Sequence, residues 1–234
     1  MTANNPFLAI QQLMTSVPDP IIFDVGAYDG QISLIFRELF PTAEIYAFEP
    51  FPDSFKQLWL NTVQDKNIHA LNFGLSDRSG TFQFNANQMS VTNSLLKTDP
   101  EGAETWVADI LDTVNVVEAR FETIDSFMVQ HDIPRIDFLK LDVQGAEYLV
   151  MDGASKACAR GDIGLVYSEI ICQPTYVKQK RLDEALSVFY RRGFDLYQIY
   201  NPSVTKHGRL RQIDAIFTLV DPKMRPSELP ADNV

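Results

Sequence analysis

Basic residues are the scarce class in this chain: lysine and arginine number 20 against 31 aspartates and glutamates, a formal net charge of −11. A general nucleic-acid binder needs a basic face to neutralise phosphates, so that class is set aside and the acidic excess is read as solubility. Histidines number only 3 and cysteines 2. Cys158 and Cys172 form no C-x-x-C pair, and the acids occur singly, without His or Cys at ligand spacing. No metal site is expected, and two reduced, buried thiols fit a cytoplasmic protein. No apolar run reaches membrane-spanning length, and the amino terminus lacks a basic segment followed by an apolar stretch. Neither a membrane partner nor a secretory leader is therefore expected.

Hydrophobic residues, by contrast, make up 45% of the 234, enough for the core of one large α/β domain flanked by helices. The informative stretch is Ile21-Ile22-Phe23-Asp24-Val25-Gly26-Ala27-Tyr28-Asp29-Gly30. An apolar run ends in an acid, two glycines bracket a turn, and Ile32, Ile35, Phe36 and Leu39 then recur on one helical face. A buried strand feeding a glycine turn and a helix builds a nucleoside site at the strand's carboxyl end. A second apolar strand, Ala43 to Phe48, stops at Glu49-Pro50, where an acid can accept hydrogen bonds from ribose hydroxyls. The turn is not a dinucleotide fingerprint, because Tyr28 stands in place of the middle glycine that lets backbone approach a pyrophosphate. Asp24 and Asp29 are poor company for phosphate and suit a ligand with an ammonium and a sulfonium. S-adenosylmethionine (SAM) fits that description, and the pattern favours it over NAD.

The flanking chain fills in around this unit. Phe7, Ile10 and Met14 predict a short helix within an amino-terminal cap over residues 1–20. A helix follows Pro50 and Pro52, with Phe55, Leu58, Trp59 and Val63 on one face, and Asn67 to Phe73 reads as a third strand. Gly74-Leu75-Ser76-Asp77 at its end can meet an adenine edge, and Asp77-Arg78-Ser79-Gly80 also reads as a hairpin turn into Thr81 to Asn85. From about 86 to 113 the pattern dissolves, a length that marks a functional loop, and its hydroxyls, amides and Trp106 are the expected source of acceptor contacts. Ile136 to Val143 is the next parallel strand and leads through Asp142-Val143-Gln144-Gly145-Ala146-Glu147 into a helix. Ile163 to Ile170 brings Glu169 towards the same rim, and Phe194 to Tyr200 with Gln212 to Val220 closes the sheet. The domain thus runs over 21–220, and 221–234, rich in proline, is expected to be loose.

Four blocks together resemble the FkbM family of SAM-dependent methyltransferases: Phe23 to Gly30, Ala47-Phe48-Glu49-Pro50, Leu75 to Gly80, and Ile136 to Glu147. The resemblance implies a Rossmann-like class I methyltransferase fold, a seven-stranded, mainly parallel sheet with an antiparallel last strand and helices on both faces. It also implies methyl transfer to a hydroxyl of a sugar, polyketide or other small metabolite. Cofactor contacts are expected from Asp24, Gly26, Tyr28, Asp29, Gly30, Glu49, Pro50, Ser76, Asp77 and Asp142. An alcohol must also lose a proton, and the candidate bases are Asp142, then Glu169, then His207. The alternative roles are a helix N-cap for Asp142, a buried salt bridge for Glu169 and a solvated loop for His207. Tyr28 stands where the family often has Asn, and Gln144 where it often has Glu, which removes a negative charge beside Asp142. Two other classes fit a Rossmann-like sheet. One is an NAD-dependent oxidoreductase or epimerase, against which the missing glycine and the lack of a Tyr-x-x-x-Lys pair count. The other is a non-catalytic SAM-fold binding subunit.

Overall fold

The computed structural model describes residues 5–103, 106 and 109–220. The expected loose tail and the first four residues of the amino-terminal cap lie outside the described residues. Five strands of near-continuous apolar character, the pattern of parallel strands buried on both faces, form the centre of the molecule. They are β1 (Ile21–Val25), β2 (Glu44–Phe48), β3 (Ile68–Leu71), β7 (Ile136–Leu141) and β8 (Ile163–Ile171). With β9 (Phe194–Val204) and β10 (Leu210–Leu219) they make a seven-stranded sheet in the order β3-β2-β1-β7-β8-β10-β9. β10 runs against the direction of the other six, antiparallel to both β8 and β9. The order reverses between β1 and β7, which opens a crevice at their carboxyl ends.

Helices cover both faces. Helices α1 (Pro6–Leu13), α2 (Gln31–Leu39) and α3 (Pro52–Thr62) bury Ile10, Phe36 and Leu58 against one side. The amino-terminal helix is a cap over the sheet, with Phe7 edge-on to Phe36 and Tyr167. The Asn5 side chain accepts from the Phe7 N–H at 2.9 Å and starts it. The opposite core, centred on Phe127, collects residues of α5 (Ile124–Gln130), α6 (Glu147–Asp152), α7 (Ser155–Arg160) and α8 (Leu182–Arg191). Among the described residues no helix is long and apolar enough to cross a membrane.

Two expectations change. The third strand is shorter than Asn67 to Phe73, and Gly74–Leu75 (β4) leaves it for a second sheet, ordered β4-β6-β5. There β6 (Thr113–Glu122) lies between β4 and β5 (Gly80–Asn87), so Asp77 to Gly80 does not close a hairpin. Local turn residues mimic a hairpin, but the long-range β6 strand takes the pairing edge. Second, the stretch at 86–113 is built rather than patternless. It contains a 3-10 turn at Ser90–Thr92 and the short helix α4 (Pro100–Ala103). Buried side-chain hydrogen bonds, not an apolar period, hold it: Asn85 Nδ2 donates to the Ser94 and Leu96 carbonyls, and Asn87 Nδ2 to the Thr92 carbonyl.

Candidate active site

A cleft opens at the sheet's point of reversal. Its floor is the turn after β1 (Gly26, Ala27, Tyr28, Asp29), with Glu49 and Pro50 after β2 and Lys140, Asp142 and Gln144 on or after β7. Gly74, Leu75, Phe84 and Phe121 form an apolar wall, and Ser90, Val91, Asn93 and Leu95 make a roof. The turn is possible because Gly26, Tyr28 and Gly30 take φ of +76°, +51° and +85°. Gly26 has a second reason to lack a side chain, since a Cβ there would lie 1.9 Å from the Asp142 carbonyl oxygen. The turns after β1 and β7 are thus in backbone contact.

At one end of the cleft, Glu49 is buried and accepts from the Phe51 N–H at 2.8 Å and the Tyr28 N–H at 3.0 Å. Burial pushes its carboxyl up to about 7, against these two amides, which favour the ionised form. Beneath the turn, Lys140 donates to the Gly26 carbonyl at 2.7 Å and pairs with Asp24 Oδ1 at 2.9 Å. The second Asp24 oxygen accepts from the Ser33 hydroxyl at 2.6 Å. Burial pulls Lys140 down, but Asp24 and Asp142 outweigh it and leave the amine above its ordinary value.

At the other end, Gln144 is held at φ +55° and joins two acids. Its Nε2 donates to Asp142 Oδ1 at 2.8 Å and to Glu169 Oε2 at 2.7 Å. The remaining Glu169 oxygen accepts from Gln212 Nε2 at 2.9 Å. Asp142 Oδ2 has Lys140 Nζ at 3.9 Å. Burial, then Asp142 and Glu147, push Glu169 well above the usual carboxylate range. Glu147 takes the Val143 and Gly145 N–H groups at 3.1 and 3.2 Å, and burial raises it to about 7. The roof is tied down here: the Ser94 hydroxyl donates to the Gln144 carbonyl at 2.8 Å. The Tyr176 hydroxyl lies 2.9 Å from the Thr92 carbonyl and 3.2 Å from Gln144 Oε1.

Of the expected residues, Gly26, Tyr28, Asp29, Glu49, Pro50 and Asp142 line the cleft together. Asp24 does not; it lies beneath the turn as the partner of Lys140. Gly30 packs towards Leu58 and Thr62 of α3 instead. Ser76 is buried against Asp77, and Gly74 and Leu75 form that part of the wall in their place. Asp142 is not a helix N-cap, because α6 begins five residues later and Ala146 holds the cap position. Among the described residues Glu169 forms no salt bridge; the carboxamides of Gln144 and Gln212 meet its oxygens instead. His207 is exposed at the tip of the β9–β10 hairpin, away from the cleft lining, and nearby Arg211 stacks on Trp106 at 4.6 Å. Lys140 is absent from the expected residues. A lysine inside an apolar strand was its trace in the sequence, since a buried cation requires a buried acid.

The donor set fits SAM. A diol can meet Glu49, an ammonium can meet Asp29 or Asp142, and an adenine can meet the apolar wall. Residues 24–196 match the methyltransferase FkbM domain family. The 2-O-methyltransferase NoeI of Sinorhizobium fredii is 27% identical over 179 residues, covering 73% of this chain and 71% of that one. The 31-O-demethyl-FK506 methyltransferase FkbM of Streptomyces tacrolimicus is 28% identical, over 60% of this chain and 61% of its own. Among solved structures, the METTL16 MTase domain has the same fold with a TM-score of 0.51 and 11% identity, covering 93% of this chain and 67% of that one. The family match extends from Asp24 under the first turn to the start of β9, and so includes both ends of the cleft. The chain therefore belongs to the FkbM family of methyltransferases and uses S-adenosylmethionine as its cofactor.

Proposed function

We propose that the protein methylates a hydroxyl group of a small, oxygen-rich acceptor such as a sugar or polyketide, with Asp142 as the proton acceptor. One observation carries the reading: Asp142 lines the cleft beside the Gly26 turn, with one carboxylate oxygen engaged by Gln144 and the other 3.9 Å from Lys140. Glu49 would hold the ribose diol, and the apolar wall of Leu75, Phe84 and Phe121 would hold the base. Bound SAM would supply an electrophilic methyl group: the acceptor oxygen would bond to it with its own lone pair as the sulfur–carbon bond breaks and S-adenosylhomocysteine leaves with that bond's electrons. Asp142 would receive the proton that the hydroxyl releases. Glu169 is the poorer acceptor, because both of its oxygens are already taken by carboxamides, those of Gln144 and Gln212. Gln144 holds Asp142 in place, and alignment of this kind supplies much of the acceleration in such a displacement.

The relatives support oxygen as the target, since the names of NoeI and FkbM specify O-methylation of their own substrates. The test is mass spectrometry of a panel of alcohols, glycosides and hydroxylated polyketides incubated with protein and SAM. A product heavier by one methyl, with its attachment traced to oxygen, is the expected result. Methylation only at nitrogen or carbon would overturn the reading.

A further inference from the structure

The roof carries a polar group that nothing among the described residues satisfies. Asn93 lines the cleft and is 9% exposed. Its Oδ1 accepts from the Asn87 N–H at 2.7 Å, which fixes which way round the carboxamide sits. Nδ2 is then a buried donor, and among the described residues it has no hydrogen-bond partner. Folded proteins leave few buried donors unpaired, and the exceptions are concentrated where water or a ligand completes them. Asn87 is itself braced, by its bond to the Thr92 carbonyl and by the Thr113 hydroxyl on its Oδ1 at 2.9 Å. The Asn93 carboxamide is therefore not free to turn and pair elsewhere.

The neighbours of Asn93 place it along the cleft. Thr92 on one side is bonded to Tyr176, and Ser94 on the other to the Gln144 carbonyl. Tyr176 and Gln144 both belong to the network that holds Asp142. Asn93 is thus anchored at the Asp142 end, not at the Glu49 end. We infer that Asn93 is a substrate-binding residue whose Nδ2 donates a hydrogen bond to a second oxygen of the methyl acceptor, adjacent to the one methylated. This rests on the reading of Asp142 as the proton acceptor. A carboxylate that takes a proton from one hydroxyl and a carboxamide that donates to its neighbour together select an acceptor with paired oxygens. A simple alcohol offers only one. The methionine carboxylate of SAM could offer oxygen to the same donor, and the test separates the two sources.

Asn93→Asp keeps the oxygen that Asn87 needs and removes the donor; Asn93→Ala is the second variant should the first fold poorly. Two probes are used: SAM by calorimetry, and a panel of methyl glycosides, each paired with its counterpart lacking the hydroxyl next to the methylated one, with S-adenosylhomocysteine formation as readout. Expected are SAM affinities within about twofold of the original protein and an acceptor KM raised roughly tenfold or more, as loss of one hydrogen bond implies. The original protein should prefer the complete glycoside to its deoxy counterpart, and the Asn93 variants should lose that preference. A tenfold loss of SAM affinity would assign Nδ2 to the cofactor and overturn the inference. Unchanged KM and preference would show that Nδ2 meets only water and would also overturn it. Failure of the original protein to methylate any probe would instead count against the hydroxyl-methylation reading and remove the basis of this one.

Discussion

At the Glu49 end of the cleft a buried carboxylate rests on two backbone N–H groups, those of Tyr28 and Phe51; at the Asp142 end two carboxylates share one carboxamide, that of Gln144. Backbone donors come with the fold and survive any change of side chain. A carboxamide bridge is lost with a single substitution. The Glu49 end is thus fixed by the path of the chain, and the Asp142 end depends on side chains that can be exchanged. The long inserted segment reinforces the contrast. It touches the second end through Ser94, bonded to the Gln144 carbonyl, and Thr92, bonded to the Tyr176 hydroxyl.

Substitution of Asp142 breaks the comparison most severely. Asp142→Asn keeps shape but removes basicity, so turnover at saturating SAM should fall about 10²–10⁴-fold with little change in SAM affinity. Glu169→Gln should cost less in the same assay, and a larger loss there would move the base to Glu169. Next comes Lys140→Met, which leaves Asp24 buried and unpaired; loss of one partner of a buried ion pair costs about 3–5 kcal/mol. Urea unfolding should show that loss as a lower midpoint with an unchanged slope.

Glu49→Gln probes the other end. SAM binding should weaken by roughly 1.5–3 kcal/mol through loss of charge-assisted hydrogen bonds, read by calorimetry. The pH dependence follows from the raised pKa. Folding lifts Glu49 from its ordinary 4.5 to about 7, so the folded state keeps a proton that the unfolded chain has released between those values. Its contribution to stability is full below 4.5 and is lost as pH rises to about 7. SAM affinity should move the opposite way, rising as pH passes through about 7, because the ribose donates to the ionised carboxylate. Glu49→Gln should flatten both curves; an unaltered SAM curve would assign the inflection to another group. The smallest effect is expected from Ser94→Ala, which frees the Gln144 carbonyl at a cost of about 1 kcal/mol. Hydrogen exchange across the inserted segment should then quicken while that of the Gly26 turn stays unchanged.

The same contrast explains what was legible in the sequence. Glu49 and the Gly26 turn are local in the chain, since a strand, a glycine and an acid at its tip announce themselves within ten residues. The parallel strands were legible because they are apolar throughout, while the seven-stranded arrangement was implied by the family resemblance. The opposite end is assembled from distant pieces. Gln144, Glu169, Gln212 and Tyr176 meet only after the sheet has formed, and no spacing between them recurs. Asp24 was legible as a conspicuous acid but not as the mate of Lys140, which is more than a hundred residues away. The hairpin at Asp77 to Gly80 failed for the same reason, since β6 arrives from far along the chain.

The contact between Gly26 and the Asp142 carbonyl has a practical meaning for anyone who recombines relatives of this protein. With room for no more than a hydrogen atom between them, the two turns cannot be exchanged one at a time. A graft that carries a new turn after β7, chosen to admit a different acceptor, must bring the turn after β1 from the same parent. Otherwise the mismatch falls on the backbone of the turn that lines the cleft. Chimeras cut between these two turns should lose SAM binding even when every cofactor-contacting residue has been preserved.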